Sequence, residues 1–412
     1  MPIDYVFNKN RKRPGQGVSL DLLNSFEAER ARAYHQGFEE YQPSGLVQLP
    51  QLADYLRLGK LFVKDESSRF GLNAFKVLGA SYAISRYLVR KLGRDISDIS
   101  CRELCSDTVR KQLGDITFTT ATDGNHGRAV AWTARQLHQK AVIYMPRGSD
   151  PIRLRNIVEL GAEASITDLT YDDAVRFSKQ KAEENGWVIV QDTAWKGYEE
   201  IPTWIMQGYA TLAVEAMEQL REQNVAAPTH VFLQAGVGSF AGGVLGFLAS
   251  SLGEKMPKVT IVEPEKANCI YHSARVGDGK AHAVSGDLGT LMAGLACGEP
   301  NTISWELLRD YATAFVSCPD SLAATGMRIL ATPLKGDEVI ISGESGAVTT
   351  GLVHLLMESE GGNAAQLRQQ LELDHNSVVL LVSTEGNTSP RAFRDAVWYG
   401  KYSDSEENRR KR

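Results

Sequence analysis

Gly71-Leu72-Asn73-Ala74-Phe75-Lys76-Val77-Leu78-Gly79 is the stretch on which the reading of this chain turns. It follows a short apolar run, Leu61-Phe62-Val63-Lys64, with the composition of a buried strand. It opens an amphipathic segment, Ala74–Leu92, whose apolar residues recur at helical spacing. A lysine at such a strand-to-helix turn is a candidate for condensation with an aldehyde. A solvated primary amine has a pKa of roughly 10.4 and stays protonated at neutral pH, so burial is expected to lower it and free the nucleophile.

Two further turns lie downstream. The strand-like run Ile116–Thr120 leads into Thr122-Asp123-Gly124-Asn125-His126-Gly127, with Arg128 opening a helix. The run His230–Leu233 leads into Gly236-Val237-Gly238-Ser239-Phe240-Ala241-Gly242-Gly243. The second turn has two readings. Gly236, Gly238 and Ala241 fit G-x-G-x-x-A, the dinucleotide fingerprint, and Glu263 at the end of the next strand would then bind a ribose. The physics is more general, because consecutive backbone N–H groups and a helix N-terminus suit any phosphate. A dinucleotide fingerprint usually opens its fold, whereas this one follows both Lys76 and the Asp123 turn. That order favours a phosphorylated cofactor whose aldehyde reaches Lys76, anchored by Gly236, Val237, Gly238, Ser239 and Gly242. At the other turn, exposed N–H groups suit a carboxylate, Asn125 suits a phenolate oxygen on a cofactor ring, and His126 is read as structural. No H-E-x-x-H or Cys/His cluster is present, so no metal site is expected.

From residue 61 onward, apolar runs alternate with helix-like segments. Strands are expected at 61–64, 116–120, 141–145, 164–166, 187–190, 230–233, 259–262 and 377–382, and helices at 74–92, 128–139 and 172–185, the last ended by Gly186. Such alternation predicts an α/β fold, with open twisted, mostly parallel sheets flanked by helices and ligands at the strand C-termini. Residues before about Ser44 read as a loosely packed arm, and those after about Trp398, including Ser403 to Asn408, as a charged tail.

With 412 residues, 43% of them hydrophobic, the chain is long enough for a large domain and a smaller inserted one; the boundaries are placed at 1–94 with 196–412 for the large domain and 95–195 for the small. Net charge is −5, and the basic clusters Asn10–Arg13 and Arg409–Arg412 sit at the ends, where they are expected to be solvated; no nucleic-acid partner is expected. No apolar run reaches the ~18 residues of a membrane span, and polar Asp4, Asn8 and Lys9 interrupt any leader, which points to the cytoplasm. The five cysteines make no C-x-x-C pair or disulfide framework and are expected to be mostly buried thiols, with a Cys269–Cys297 bridge left open.

With these residues in hand, the chain resembles the fold-type II pyridoxal-phosphate (PLP) enzymes, the group of threonine dehydratase, serine racemase and tryptophan synthase β. Within that group it is most similar to the diaminopropionate ammonia-lyases. Six blocks carry the likeness in order: Arg69–Lys76, Thr122–Gly127, Gln191–Trp195, Pro202–Tyr209, Met292–Pro300 and Ser342–Ala347. Ala80 departs from the pattern, standing where a second glycine is expected after Gly79. The resemblance implies that Lys76 forms the Schiff base with PLP, Asn125 contacts the ring oxygen, the 236–243 backbone holds the phosphate, and Thr384 in Ser383-Thr384-Glu385-Gly386-Asn387 stands beside the pyridine nitrogen. It also implies a homodimer.

A neutral hydroxyl at that nitrogen withdraws electrons only moderately, which suits rapid β-elimination better than transamination. Related dehydratases carry a small, often neutral residue at the position of Asp123. A carboxylate there is electrostatically awkward beside a substrate carboxylate unless a cation lies between, and the β-ammonium of 2,3-diaminopropionate would be that cation. Asp192 is a candidate second contact to the same ammonium. The implied activity is elimination from D- and L-2,3-diaminopropionate, through an aminoacrylate, to pyruvate and two ammonia, with Lys76 and Asp123 serving opposite faces. The alternatives are a serine/threonine dehydratase on the same fold, a nicotinamide-dependent oxidoreductase, and a non-catalytic PLP-binding module.

Overall fold

The computed structural model describes residues 3–403. Its strands are β1 (Asp4–Phe7), β2 (Gly45–Gln48), β3 (Lys60–Asp65), β4 (Thr117–Ala121), β5 (Lys140–Met145), β6 (Glu163–Ile166), β7 (Val188–Ile189), β8 (His230–Gln234), β9 (Lys258–Pro264), β10 (Ala314–Cys318) and β11 (Val378–Ser383). They form two sheets. One has seven strands in the order β1-β10-β9-β8-β11-β3-β2, parallel except at the two edges, where β1 and β2 run antiparallel. The other has four parallel strands in the order β6-β5-β4-β7. Helices flank both, so the expected α/β architecture is what forms. The central strands β8, β9, β10 and β11 are almost wholly buried, and β8, β9 and β11 read as apolar runs for that reason.

Three strands escaped sequence reading. β1 and β2 are four-residue antiparallel edges without a crossover helix, and β10, Ala314-Phe315-Val316-Ser317-Cys318, is short and mixed. The expected loose arm is a correction of the same kind. Before Ser44 the chain forms β1 and the helix Ser25–His35, whose buried face is Ala28, Ala31, Tyr34 and His35. That face is small and its sequence charged, so it carries little apolar signal. His35 nonetheless ties the arm to the core, bonding the Leu78 carbonyl through Nε2 and Thr211 Oγ1 through Nδ1, both at 2.9 Å. The first basic cluster is not merely solvated either: Arg11 Nε donates to the Tyr311 carbonyl and Lys12 pairs with Asp310, each at 3.1 Å. The second basic cluster, and all of the charged tail beyond 403, lie outside the described residues.

The helix Lys76–Lys91 crosses the helix Glu200–Glu222 at close range. A Cβ on Gly208 would stand 2.2 Å from the Leu78 carbonyl oxygen, and one on Gly79 2.5 Å from the Tyr209 ring, so both positions require glycine. Ala80, the departure from the family pattern, is fully buried beside them.

Beneath the Lys76 turn lies a closed ion cluster. Arg69 grips Glu66 (Nε to Oε2, 2.8 Å) and Glu215 (Nη2 to Oε2, 2.6 Å), and Lys64 on β3 completes it at 2.7 Å from Glu215. All four side chains are essentially out of solvent, and the cluster binds β3 and the 66–71 turn to the helix Glu200–Glu222. All five cysteines, Cys269 and Cys297 included, are free thiols. Among the described residues, no helix is long and apolar enough to cross a membrane.

Candidate active site

Strand order dictates where the site falls. β8, β11 and β3 are parallel neighbours, so their C-terminal ends bring the 234–239, 384–385 and 66–76 segments to one edge of the large sheet. β4 and β7, neighbours in the small sheet, bring 122–126 and 190–192 to face them. Between the two edges lies a pocket lined by residues of all five segments. Open parallel sheets bind ligands at such carboxyl edges.

Lys76, Asp123, Asn125, Asp192, Gly236, Val237, Gly238, Ser239 and Thr384 all line this pocket. Gly242 does not. It sits a turn inside the helix Ser239–Leu252, its N–H bonded to the Gly238 carbonyl at 2.8 Å, and a Cβ there would meet Ser304 rather than the pocket. Gly238, at φ +98°, makes the left-handed bend that starts this helix, and the first N–H groups of the helix have no intrahelical acceptor.

Lys76 Nζ pairs with Asp192 Oδ2. Burial acts to lower the amine, but the Asp192 charge, with Tyr209 and Asp123 nearby, outweighs it and holds Lys76 above the ordinary lysine range. The expected lowering is therefore overturned: in this arrangement the amine is an ammonium, because its nearest neighbour is a carboxylate. Conversely, burial would raise Asp192, and the Lys76 ammonium draws it down to about 2. His126 is structural as expected, with Nε2 bonded to the Val190 carbonyl at 2.7 Å and burial keeping the ring neutral. Glu263 is a helix cap, its carboxylate accepting the N–H groups of Ile270 (2.9 Å) and Tyr271 (2.6 Å). It is thereby occupied and unable to hold a ribose, which removes the support for a dinucleotide.

Glu385 in the pocket wall, and Arg153 and Glu344 behind it, went unnoticed in sequence. Glu385 accepts a hydrogen bond from the Asn125 amide, so that amide is already engaged within the protein. Arg153 pairs with Asp123 and Glu344, each at 2.7 Å. It corrects the electrostatic expectation for Asp123, whose carboxylate has a resident cation before any substrate enters. Burial and Glu385 push the Glu344 carboxyl up to about 7, against the pull of Arg153. Glu385 and Glu344 adjoin quoted motifs and were within reach of sequence reading; Arg153, in Pro151-Ile152-Arg153-Leu154-Arg155, reads as an ordinary helix residue.

Three buried polar atoms of the wall, Gln234 Oε1, His126 Nδ1 and Ser345 Oγ, have no hydrogen-bond partner among the described residues. Buried polar atoms are seldom left so. With a lysine at one end, a glycine-led helix start at another, and the Thr384 hydroxyl held by Gln234 Nε2 at 2.8 Å, the walls fit a flat, polar, phosphorylated aldehyde.

The fold and this site define a cofactor class, and comparison with known proteins agrees: residues 38–384 match the family described as pyridoxal-phosphate dependent enzyme. The chain is 53% identical to the diaminopropionate ammonia-lyase of Salmonella typhimurium over 400 residues, covering 97% of this chain and 98% of that protein. It superimposes on the holo diaminopropionate ammonia lyase of Escherichia coli with a TM-score of 0.90 at 49% identity, covering 98% of each chain. The same Escherichia coli enzyme, in complex with an aminoacrylate-PLP azomethine reaction intermediate, superimposes at 0.88 with 48% identity, again over 98% of each chain. The chain belongs to the pyridoxal-phosphate dependent enzymes and, within them, to the diaminopropionate ammonia-lyase family.

Proposed function

We propose that this chain uses pyridoxal phosphate to eliminate ammonia from D- and L-2,3-diaminopropionate, giving pyruvate and two ammonia. The observation that carries the reading is the pairing of Lys76 with Asp192 in a pocket that also presents Asp123, within a chain 53% identical to a diaminopropionate ammonia-lyase over nearly its whole length. Backbone N–H groups of Gly236, Val237, Gly238 and Ser239 would hold the phosphate, Lys76 the aldehyde carbon, Asn125 the ring oxygen and Thr384 the ring nitrogen. When bound, the cofactor supplies the electron sink that makes the substrate Cα–H acidic.

The chain's own groups do the rest. Lys76 serves as base on one face of Cα and Asp123 on the other, which accommodates both isomers; groups so placed contribute ~10²–10⁴ in rate. Asp192 faces the substrate's β-nitrogen and keeps it protonated until its bond to Cβ breaks, so that neutral ammonia departs and not an amide ion. The three-carbon enamine that is released tautomerises and takes up water, yielding pyruvate and the second ammonia. The four-stranded sheet falls wholly within 95–195, which supports taking that stretch as a small domain inserted into a large one made of 1–94 and 196–412. The reading also carries a cytoplasmic homodimer, whose mass sedimentation would measure.

The test is pyruvate release from each diaminopropionate isomer, compared with serine and threonine, on yellow protein that borohydride bleaches with the label fixed on Lys76. A clear preference for the hydroxy amino acids would make the chain a dehydratase and remove the roles given to Asp123 and Asp192.

A further inference from the structure

We propose that Arg153 is the positioning residue of this pocket: it fixes one oxygen of Asp123, leaves the other for the substrate, and anchors that arrangement to the large sheet through Glu344 and Thr388. The proposal deepens the reading above and rests on it.

Arg153 lies on the helix Pro151–Val158, which Asp150 caps through the N–H of Ile152 at 3.0 Å. Its aliphatic stem runs against Gly124, where an added Cβ would stand 2.8 Å from Arg153 Cδ; the bare backbone of the Asp123 turn is what lets the guanidinium reach the pocket wall. From there one nitrogen goes each way. Nη1 donates to Asp123 Oδ2 at 2.7 Å, while Nη2 donates to Glu344 Oε1 at 2.7 Å and to Thr388 Oγ1 at 3.2 Å. Asp123 comes from the end of a small-sheet strand, and Glu344 and Thr388 from segments attached to the large sheet.

Among the described residues, no other hydrogen bond reaches the Asp123 carboxylate, so Oδ1 is the oxygen open to a ligand. The Asp123 side chain keeps 20% of its exposure while Arg153 keeps 4%, which places the acceptor at the pocket and its clamp behind it. The clamp is not simply what docks this helix, because Asp150 makes its own contact with Ser389 Oγ at 2.9 Å. A planar guanidinium holds two carboxylates in fixed directions, and an ammonium carries the charge without that fork. Arg153 accordingly acts on turnover through the aim of Asp123 and leaves cofactor attachment at Lys76 intact.

The experiment is a double-mutant cycle on the PLP-loaded enzyme with Arg153→Met, Asp123→Asn and the double variant. It measures kcat and KM for both diaminopropionate isomers, with cofactor absorbance and borohydride labelling of Lys76 as the readout independent of activity. Arg153→Met is expected to lower kcat roughly 10²-fold for the isomer that depends on Asp123, with labelling unchanged. The double variant should be no slower than Asp123→Asn alone, and Arg153→Lys should recover part of kcat. Losses that multiply in the double variant, or a loss confined to KM, overturn the proposal. If Arg153→Met fails to hold cofactor, Arg153→Lys carries the cycle; should that variant lose it too, Arg153 is a structural latch and the proposal falls. A preference for serine shows in the wild-type substrate comparison before any variant is made, whereas multiplying losses appear only in the cycle on diaminopropionate, so the two failures are told apart.

Discussion

Two groups of buried charges lie on either side of the Lys76 turn, and they are built differently. Behind it, Lys64 and Arg69 face Glu66 and Glu215, two cations against two carboxylates, all sealed from solvent. In front of it, Lys76 and Arg153 face four carboxyl groups, Asp123, Asp192, Glu385 and a Glu344 that burial pushes up to about 7, and the pocket wall includes three polar atoms with no partner among the described residues. The balanced cluster has nothing left to bind and can only hold the chain in place. The unbalanced one has spare acceptors and excess negative charge, which suits a substrate bearing a second ammonium. Burial alone therefore does not mark a site; incomplete pairing within burial does.

The sharpest way to break this contrast is Lys76→Ala. It should abolish pyruvate release and the borohydride-fixed label while circular dichroism stays native, and residual turnover would show that the front group does not depend on its lysine. Glu215→Ala attacks the other group. It leaves Arg69 and Lys64 buried without their shared carboxylate, and removing one partner of such a pair costs about 3–5 kcal/mol, to be read by denaturant unfolding. Turnover per folded molecule should hold, and a stability change near zero would make the rear cluster dispensable.

The smallest effect concerns pH. In cofactor-free protein Asp192 is drawn down to about 2, so its contribution to stability is present above its unfolded value and lost as pH falls through the folded one. The shift corresponds to on the order of 2 kcal/mol. Unfolding of wild type and Asp192→Asn should therefore differ by a constant amount near neutrality and converge below about pH 4. Curves that stay parallel into acid would mean that the Lys76–Asp192 pair contributes no stability.

What sequence conveyed and what it withheld divide by distance along the chain. Lys76, the Asp123 turn and the Gly236 loop were legible because each is a local strand-to-helix junction whose composition follows from its backbone. Buried strands such as β8, β9 and β11 were legible because they are largely apolar, whereas β10, equally buried but broken by Ser317, was not. Arg153 and Glu344 are 191 residues apart, and Asn125 and Glu385 are 260 apart, so neither pairing leaves a local trace. The ammonium state of Lys76 was misjudged for the same reason, since Asp192 arrives from 116 positions away. The N-terminal helix was missed on different grounds: its buried face is two alanines, a tyrosine and a histidine, too small and too polar to set up a visible apolar stripe.

The position of β11 between β8 and β3 bears on how the molecule comes into being. β11 follows both β3 and β8 in the chain yet is wedged between them, so the strands that carry the Lys76 and Gly236 loops are joined in the sheet through the segment that ends at Ser383. A chain cut short before Val378 lacks the strand that joins them and is expected neither to take up the cofactor nor to turn over substrate.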